Sequence, residues 1–235
     1  GSTTPSGMFG LASSGQLDLG DALRVDGEVD GLTFGESVAV AEDLNDDGFA
    51  DFVVGDSFYG RMGTTRAAKG RVYVFLGGCD TVASCATKTG VFTDFVAGVA
   101  PAFEADARIT GGSDNDWLGR SVSSAGDLNN DGYTDIALGA PGFDASGATN
   151  VGVVYLLLGG CDGTLCSSRE SGLFKSRDTN LMLDASHSGA AISGPSAYNA
   201  LGHSVCGVGD FNGDGYDDVG AGAPDANYFI MLSGR

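Results

Sequence analysis

Nine residues, DLNDDGFAD from Asp43 to Asp51, place oxygen-bearing side chains at positions 1, 3, 5 and 9 around a glycine at position 6. The pattern returns as DLNNDGYTD from Asp127 and as DFNGDGYDD from Asp210. Such a loop suits a hard cation. Calcium takes about 6–8 oxygen ligands in a flexible geometry, whereas magnesium demands a stricter octahedron and keeps several waters. Three Ca2+ sites are therefore expected, each completed by the backbone carbonyl of position 7. The ligands would be Asp43, Asn45, Asp47 and Asp51 with the Phe49 carbonyl in the first loop. In the second they would be Asp127, Asn129, Asp131 and Asp135 with Tyr133, and in the third Asp210, Asn212, Asp214 and Asp218 with Tyr216. Asx turns alone would account for one such loop, but three copies with the same four positions favour a metal. An EF-hand needs a glutamate at position 12, and that position holds Val54, Leu138 and Ala221.

Elements of matching regularity surround the loops. The first Asp of each loop recurs after 84 and then 83 residues, so the repeat spans almost the whole chain. Each unit opens with a G-x-S-V strand (GESVAVA, GRSVSSA, GHSVCGV), passes through the acidic loop and leaves on a short apolar strand (FVVG, IALG, VGAG). Then comes GDS in the first unit and GAP in the other two, followed by a variable stretch and a third strand, GRVYVFLGG, GVVYLLLGG or NYFIMLSGR. Near-continuous apolar runs bracketed by glycine suit strands buried on both faces. A fourth strand is expected in AFEADARITGG and LMLDASHSGAAISG, with an N-terminal counterpart in LDLGDALRVDGEV. Four strands per unit predict all-β, propeller-type blades. Repeats are placed near 33–111, 117–194 and 200–235, behind a flexible segment 1–15 and a closing outer strand within 16–31. Propellers have about 4–8 blades. Three repeats point to part of a longer propeller, to one completed between chains, as in two copies making a six-bladed ring, or to units stacked in a less usual way.

Bulk composition agrees with this architecture and narrows the partners. Glycine supplies 40 of 235 residues and proline 5, a mixture for strands and tight turns rather than long helices. With 31 acidic against 12 basic residues, the net charge of −19 repels phosphate backbones and anionic membrane surfaces. Nucleic acid is not an expected partner, nor is membrane insertion, since no run approaches the ~18 apolar residues of a membrane helix. Cysteine usage points to an oxidising, extracellular or cell-surface setting. Cys79 with Cys85 and Cys161 with Cys166 form two close pairs, each after an LGG, and are expected as local disulfides. Zinc would need tighter pairs and further ligands, and the only histidines in the chain are His187 and His203.

LGRSVSSAGDLNNDGYTDIALGAPGF and LGHSVCGVGDFNGDGYDDVGAGAP, with FGESVAVAEDLNDDGFADFVVGDS as a degenerate first copy, resemble the FG-GAP repeats of integrin α-subunit propellers and related surface proteins. The resemblance implies a β-propeller with calcium in loops between strands of a blade, on an extracellular protein that binds other proteins or glycans. Gly55-Asp56-Ser57 in place of G-A-P departs from the pattern, as do the cysteine-containing inserts. Three functions are compatible with these features. One is a non-catalytic binding or adhesion module, the second a subunit that assembles with copies of itself by strand addition, and the third an accessory propeller of a secreted enzyme.

Other residues carry less chemistry. His203 next to Ser204, with Asp210 nearby, hints at a hydrolase, but the matching positions hold Arg120 and Glu36, so imidazole is not required there. Cys206 matches Ser123 and Ala39, which predicts either a small buried position or a leftover thiol that pairs between chains. Trp117 precedes a blade, as a packing residue or as a platform for a stacked ligand.

Overall fold

Val, Ile, Phe and Tyr fill a pleated surface packed on both sides, and the expected runs fold as strands accordingly. A computed structural model describes residues 23–29, 33–44, 48–61, 67–77, 98–101, 105–145, 147–160, 179–182 and 190–234, with the backbone alone at 23–24, 98–101 and 179–182. Asn45, Asp47, Cys79, Cys85, Cys161, Cys166, His187 and segment 1–15 lie outside these ranges.

The protein is all-β. Its first blade combines β2 (Ser37–Glu42), β3 (Asp51–Asp56), β4 (Arg71–Phe75) and β6 (Ala107–Thr110), after β1 (Leu23–Asp26) and with β5 (Gly98–Pro101) intervening. The second joins β7 (Ser121–Gly126), β8 (Asp135–Ala140), β9 (Val153–Leu157) and β11 (Ala190–Ser193), with β10 (Thr179–Met182) intervening. The third contains β12 (Ser204–Gly209), β13 (Asp218–Ala223) and β14 (Tyr228–Ser233). Neighbours within each blade run antiparallel. One 3-10 turn, Pro224–Ala226, is the single helical element among the described residues.

Each inner strand ends in the same device. A β-bulge interrupts the pairing between Val40 and Glu42, between Ser124 and Gly126, and between Gly207 and Gly209. The residue after each bulge, Glu42, Gly126 or Gly209, has a positive φ. An extra residue bends its strand and sharpens the local twist, so the chain swings out of the sheet directly into the acidic loop.

Blades stack through apolar side chains and one repeated hydrogen bond. Val53, Val72, Val74 and Ile109 of the first blade meet Val122, Ile136, Leu138 and Tyr155 of the second in one buried cluster. Ala125, Ala137, Val154 and Leu156 then meet Val219, Ala221 and Ala223 of the third. The serine of each G-x-S-V motif donates to a glycine carbonyl of the following blade: Ser37 Oγ to Gly119 O and Ser121 Oγ to Gly202 O, both at 2.8 Å. The three sheets thus follow one another as consecutive propeller blades, without closing into a ring.

Five features differ from the sequence reading. Fourteen strands are present among the described residues instead of twelve, because β5 and β10 add parallel to β1 and β6. The segment 181–194 accordingly holds the end of β10 and all of β11 rather than one strand. β1 lies beside β5 and packs Val25 against Val54, Tyr73 and Phe75 of the first blade, not beside β14. Cys206 is exposed rather than buried, and β14 alternates half-buried with exposed residues. Both belong to a blade face on which no further blade sits among the described residues.

Candidate cation-binding loops

Each acidic loop opens immediately after its bulge and closes at the first residue of the middle strand, so two strands of one blade hold its ends. The glycine at position 6 has φ of +86° at Gly48 and +92° at both Gly132 and Gly215, a conformation open to residues without a Cβ. Its N–H donates to Oδ2 of the first aspartate in all three loops: to Asp43 and Asp127 at 2.8 Å and to Asp210 at 3.0 Å. In the second loop the Asp131 N–H donates to Asp127 Oδ1 and Asn129 Oδ1, and the Tyr133 N–H to Asp131 Oδ1. The third loop repeats these bonds with Asp214, Asp210, Asn212 and Tyr216. Oxygens of positions 1, 3 and 5 are therefore gathered inside the turn, where successive N–H groups also point.

The ninth residue does something its spacing did not announce. Asp135 is buried, and its two oxygens accept the Leu128 N–H at 2.8 Å and the Gly159 N–H at 2.7 Å. Asp51 accepts from Leu44 and Gly77, and Asp218 from Phe211 and Gly234, in the same way. This carboxylate ties the start of the loop to the exit of the third strand. Each of its oxygens has a second lone pair beyond the one that a backbone N–H occupies.

The donor set fits an oxygen-seeking cation: each loop of nine residues offers three carboxylates, an amide oxygen and a backbone carbonyl. In the second loop, burial, with the Asp131 and Asp127 charges adding to it, pushes the Asp135 carboxyl up to about 7. Among the described residues no three Asp, Glu, His or Cys side chains come together as a finished cage. What is in place is the turn, with its carboxylates accepting N–H groups of the loop and, at position 9, also one from the exit of the third strand. In the first loop Asp43, Phe49 and Asp51 are placed, while Asn45 and Asp47 lie outside the described residues.

A second concavity lies at the start of the inner strands, where Glu36, Arg120 and His203 hold the same position in the three repeats. They line a cleft of about 520 Å³ together with Ser57, Trp117 and Asp225. Arg120 forms an ion pair with Glu36, whose other oxygen accepts the Ser57 hydroxyl. The departure from G-A-P in the first repeat is explained nearby: buried Asp56 accepts the N–H and hydroxyl of Thr33, and Ser57 reaches Glu36. The Asp210 carboxylate accepts from Gly213, Asp214 and Gly215, within its own loop. Trp117 is half-buried at the cleft wall.

Comparison with known proteins matches residues 34–75, 118–157 and 201–230 to the FG-GAP repeat. The chain is 32% identical over 212 residues to integrin alpha pat-2 of Caenorhabditis briggsae, covering 85% of the chain and 14% of that protein. It is 31% identical over 208 residues to integrin alpha-E of Mus musculus (86% and 14%), and 32% identical over 237 residues to integrin alpha-PS5 of Drosophila melanogaster (95% and 19%). It therefore spans less than a fifth of the length of these relatives. No helix among the described residues is long and apolar enough to cross a membrane.

Proposed function

Because this chain belongs to the FG-GAP repeat proteins, we propose that it is an extracellular, non-catalytic propeller module that binds Ca2+ in its three acidic loops and recognises a protein or glycan partner. The observation that carries the calcium reading is the shared turn, in which the position 6 N–H returns to the first aspartate in all three loops. Bound calcium would supply a positive charge that cancels the mutual repulsion of the loop carboxylates. Asp127, Asn129, Asp131 and Asp135 with the Tyr133 carbonyl would hold it in the second loop, and the matching residues of the first and third loops likewise. Similarity to integrin alpha chains supports the adhesive role and the cell-surface setting. The domain is taken to run from 16 to 235, with local disulfides Cys79–Cys85 and Cys161–Cys166 pinning the inserts.

Calcium bound to the native state alone stabilises it by mass action. Affinity is expected in the range of extracellular modules, about 10⁻⁴–10⁻³ M. Titration calorimetry should show the central site lost in Asp131→Ala and kept in Asp144→Ala, whose carboxylate lies outside the acidic loops and accepts the Asn150 N–H in a surface turn. A melting curve indifferent to both millimolar calcium and chelator would sink the reading.

A further inference from the structure

We propose, resting on the calcium reading of the loops, that Asp217 of the third acidic loop is a positioning residue for the second, and that through it cation binding in these two loops is coupled. The second site then depends on a side chain outside its own nine residues and in another blade.

Asp217 stands at position 8 of its loop, between Tyr216, whose carbonyl is a proposed ligand, and the ninth aspartate Asp218. Its side chain turns to the second blade. Asp217 Oδ2 accepts the Asp127 N–H at 2.8 Å, across 90 residues of sequence. The Asp217 N–H in turn donates to the Asp127 carbonyl at 3.2 Å. Residue 127 is therefore gripped on both sides of its Cα by one residue of the next blade.

The gripped residue is the one from which the second loop is built. Asp127 Oδ1 accepts the Asp131 N–H and Asp127 Oδ2 the Gly132 N–H, so the backbone at 127 sets where the first carboxylate lies and how the turn closes on it. A backbone N–H that donates to a carboxylate makes one of the stronger hydrogen bonds of a protein, and both residues here are half-buried. Loss of the grip frees the chain where it swings from the bulge at Ser124–Gly126 into the loop.

Glycine makes the reach possible. A Cβ on Gly126 would lie 2.0 Å from Asp217 Oδ2 and 2.6 Å from its Cγ, so a side chain there would expel the carboxylate. At the junction of the first and second blades the matching residues are Glu42 and, at position 8, Thr134, whose hydroxyl donates to the Glu42 side chain at 3.3 Å. Position 8 thus touches the preceding loop at both junctions. The carboxylate-to-backbone grip occurs at the second, where the residue before the first aspartate is glycine.

The reverse influence runs through the backbone. The peptide that joins Tyr216 to Asp217 is trans, so its N–H, directed at Asp127, and its carbonyl point opposite ways. One planar group gives its donor to the second loop and leaves its acceptor for the third. Ligation of that carbonyl polarises the peptide and strengthens its donation to Asp127, as polar groups in series reinforce one another. A third loop closed on Tyr216 and Asp218 also fixes Asp217 between them, so the Asp127 N–H finds its acceptor already in place. Ordering one loop lowers the cost of ordering the other, which is positive coupling. The first and second loops meet through backbone groups, since the Gly160 N–H donates to the Leu44 carbonyl at 2.8 Å beside the Gly159 N–H that holds Asp135. The side chain at 217, unlike that link, can be replaced.

Calcium titration of the whole chain, followed by amide resonances, tests the coupling. The Gly132 and Gly215 N–H groups, each bonded to the first aspartate of its own loop, report the second and third loops separately. Asp217→Ala should weaken calcium at the second loop by at least about fivefold, the lower end of ordinary coupling between sites. Asp217→Asn keeps an oxygen for the Asp127 N–H and should recover most of that loss. In chelator, solvent exchange of the Asp127 amide should quicken in Asp217→Ala and not in Asp217→Asn, which reads the hydrogen bond without metal. Asp214→Ala disables the third loop at an exposed residue and should weaken the second, as Asp131→Ala should weaken the third, since coupling is reciprocal. That pair decides the matter even where Asp217→Ala fails to fold. Wild-type resonances of both glycines that ignore calcium would overturn the calcium reading and the coupling together. Resonances that respond, but with a second-loop midpoint unchanged by Asp217→Ala or by Asp214→Ala, would overturn the coupling alone. An Asp217→Asn variant as weak as Asp217→Ala would show an effect of charge instead of position, and would overturn it as well.

Discussion

Asp106 and Asp116 show how single carboxylates tune this fold outside the acidic loops. Burial pushes both up to about 6, against a partial lowering by the N–H groups of Leu76 and Ser113 respectively. A carboxyl whose folded-state pKa lies above its ordinary value binds more protons folded than unfolded. Its stabilising contribution is complete below about pH 4 and is lost as pH rises through about 6. Asp106→Asn keeps an acceptor for Leu76 and cannot ionise. In chelator, its urea midpoint is expected to fall less than wild type between pH 4 and pH 6; identical slopes would refute the assignment. The loop glycine gives a second prediction at this scale. Gly215→Ala meets no neighbour with its Cβ, so its cost is conformational, about 1–2 kcal/mol for a left-handed residue. Thermal melts should show that loss with or without calcium.

Strands of neighbouring blades approach so closely that the apolar run itself requires glycine. A Cβ on Gly139 would lie 1.9 Å from the Gly202 carbonyl oxygen and 2.3 Å from Ser121 Oγ, the two groups whose hydrogen bond joins the second blade to the third. Gly139→Ala is therefore expected to destabilise by about 1–3 kcal/mol through overpacking. Ser121→Ala, which removes the donor without crowding, should cost about 0.5–1.5 kcal/mol. Chemical denaturation of both variants checks the order; a larger loss in Ser121→Ala would show that the hydrogen bond, not the close approach, dominates this junction.

Across the whole molecule, charge is the governing term. A net charge of −19, partly concentrated in three loops, repels itself in the folded state. Added sodium chloride should raise the melting temperature in chelator by screening, since the Debye length shrinks to about 3 Å at 1 M salt. With calcium bound the same addition should do much less. An equal salt response in both conditions would place the repulsion elsewhere on the surface than in the loops.

The repeat, the blade strands and the acidic turn were legible in the sequence because each is a local pattern. Glycine at position 6, aspartate at position 1 and the G-x-S-V opening act within a few residues of where they stand, and three copies average out the noise of any one. β5 and β10 were not legible, because GVAP and TNLM carry no alternation and owe their strand form to an edge supplied by distant chain. The same applies to the ninth aspartate, whose spacing marks a ligand but whose N–H partners at Gly77, Gly159 and Gly234 come from the far end of the third strand. Cys206 and Phe229 make the point most directly. Phe229 matches the buried Val72 and Val154 of the sister repeats, and Cys206 the half-buried Ala39 and Ser123, yet both are exposed. Burial is a property of what packs on a face, and the neighbour that would cover the third blade is not encoded in the residues that form it.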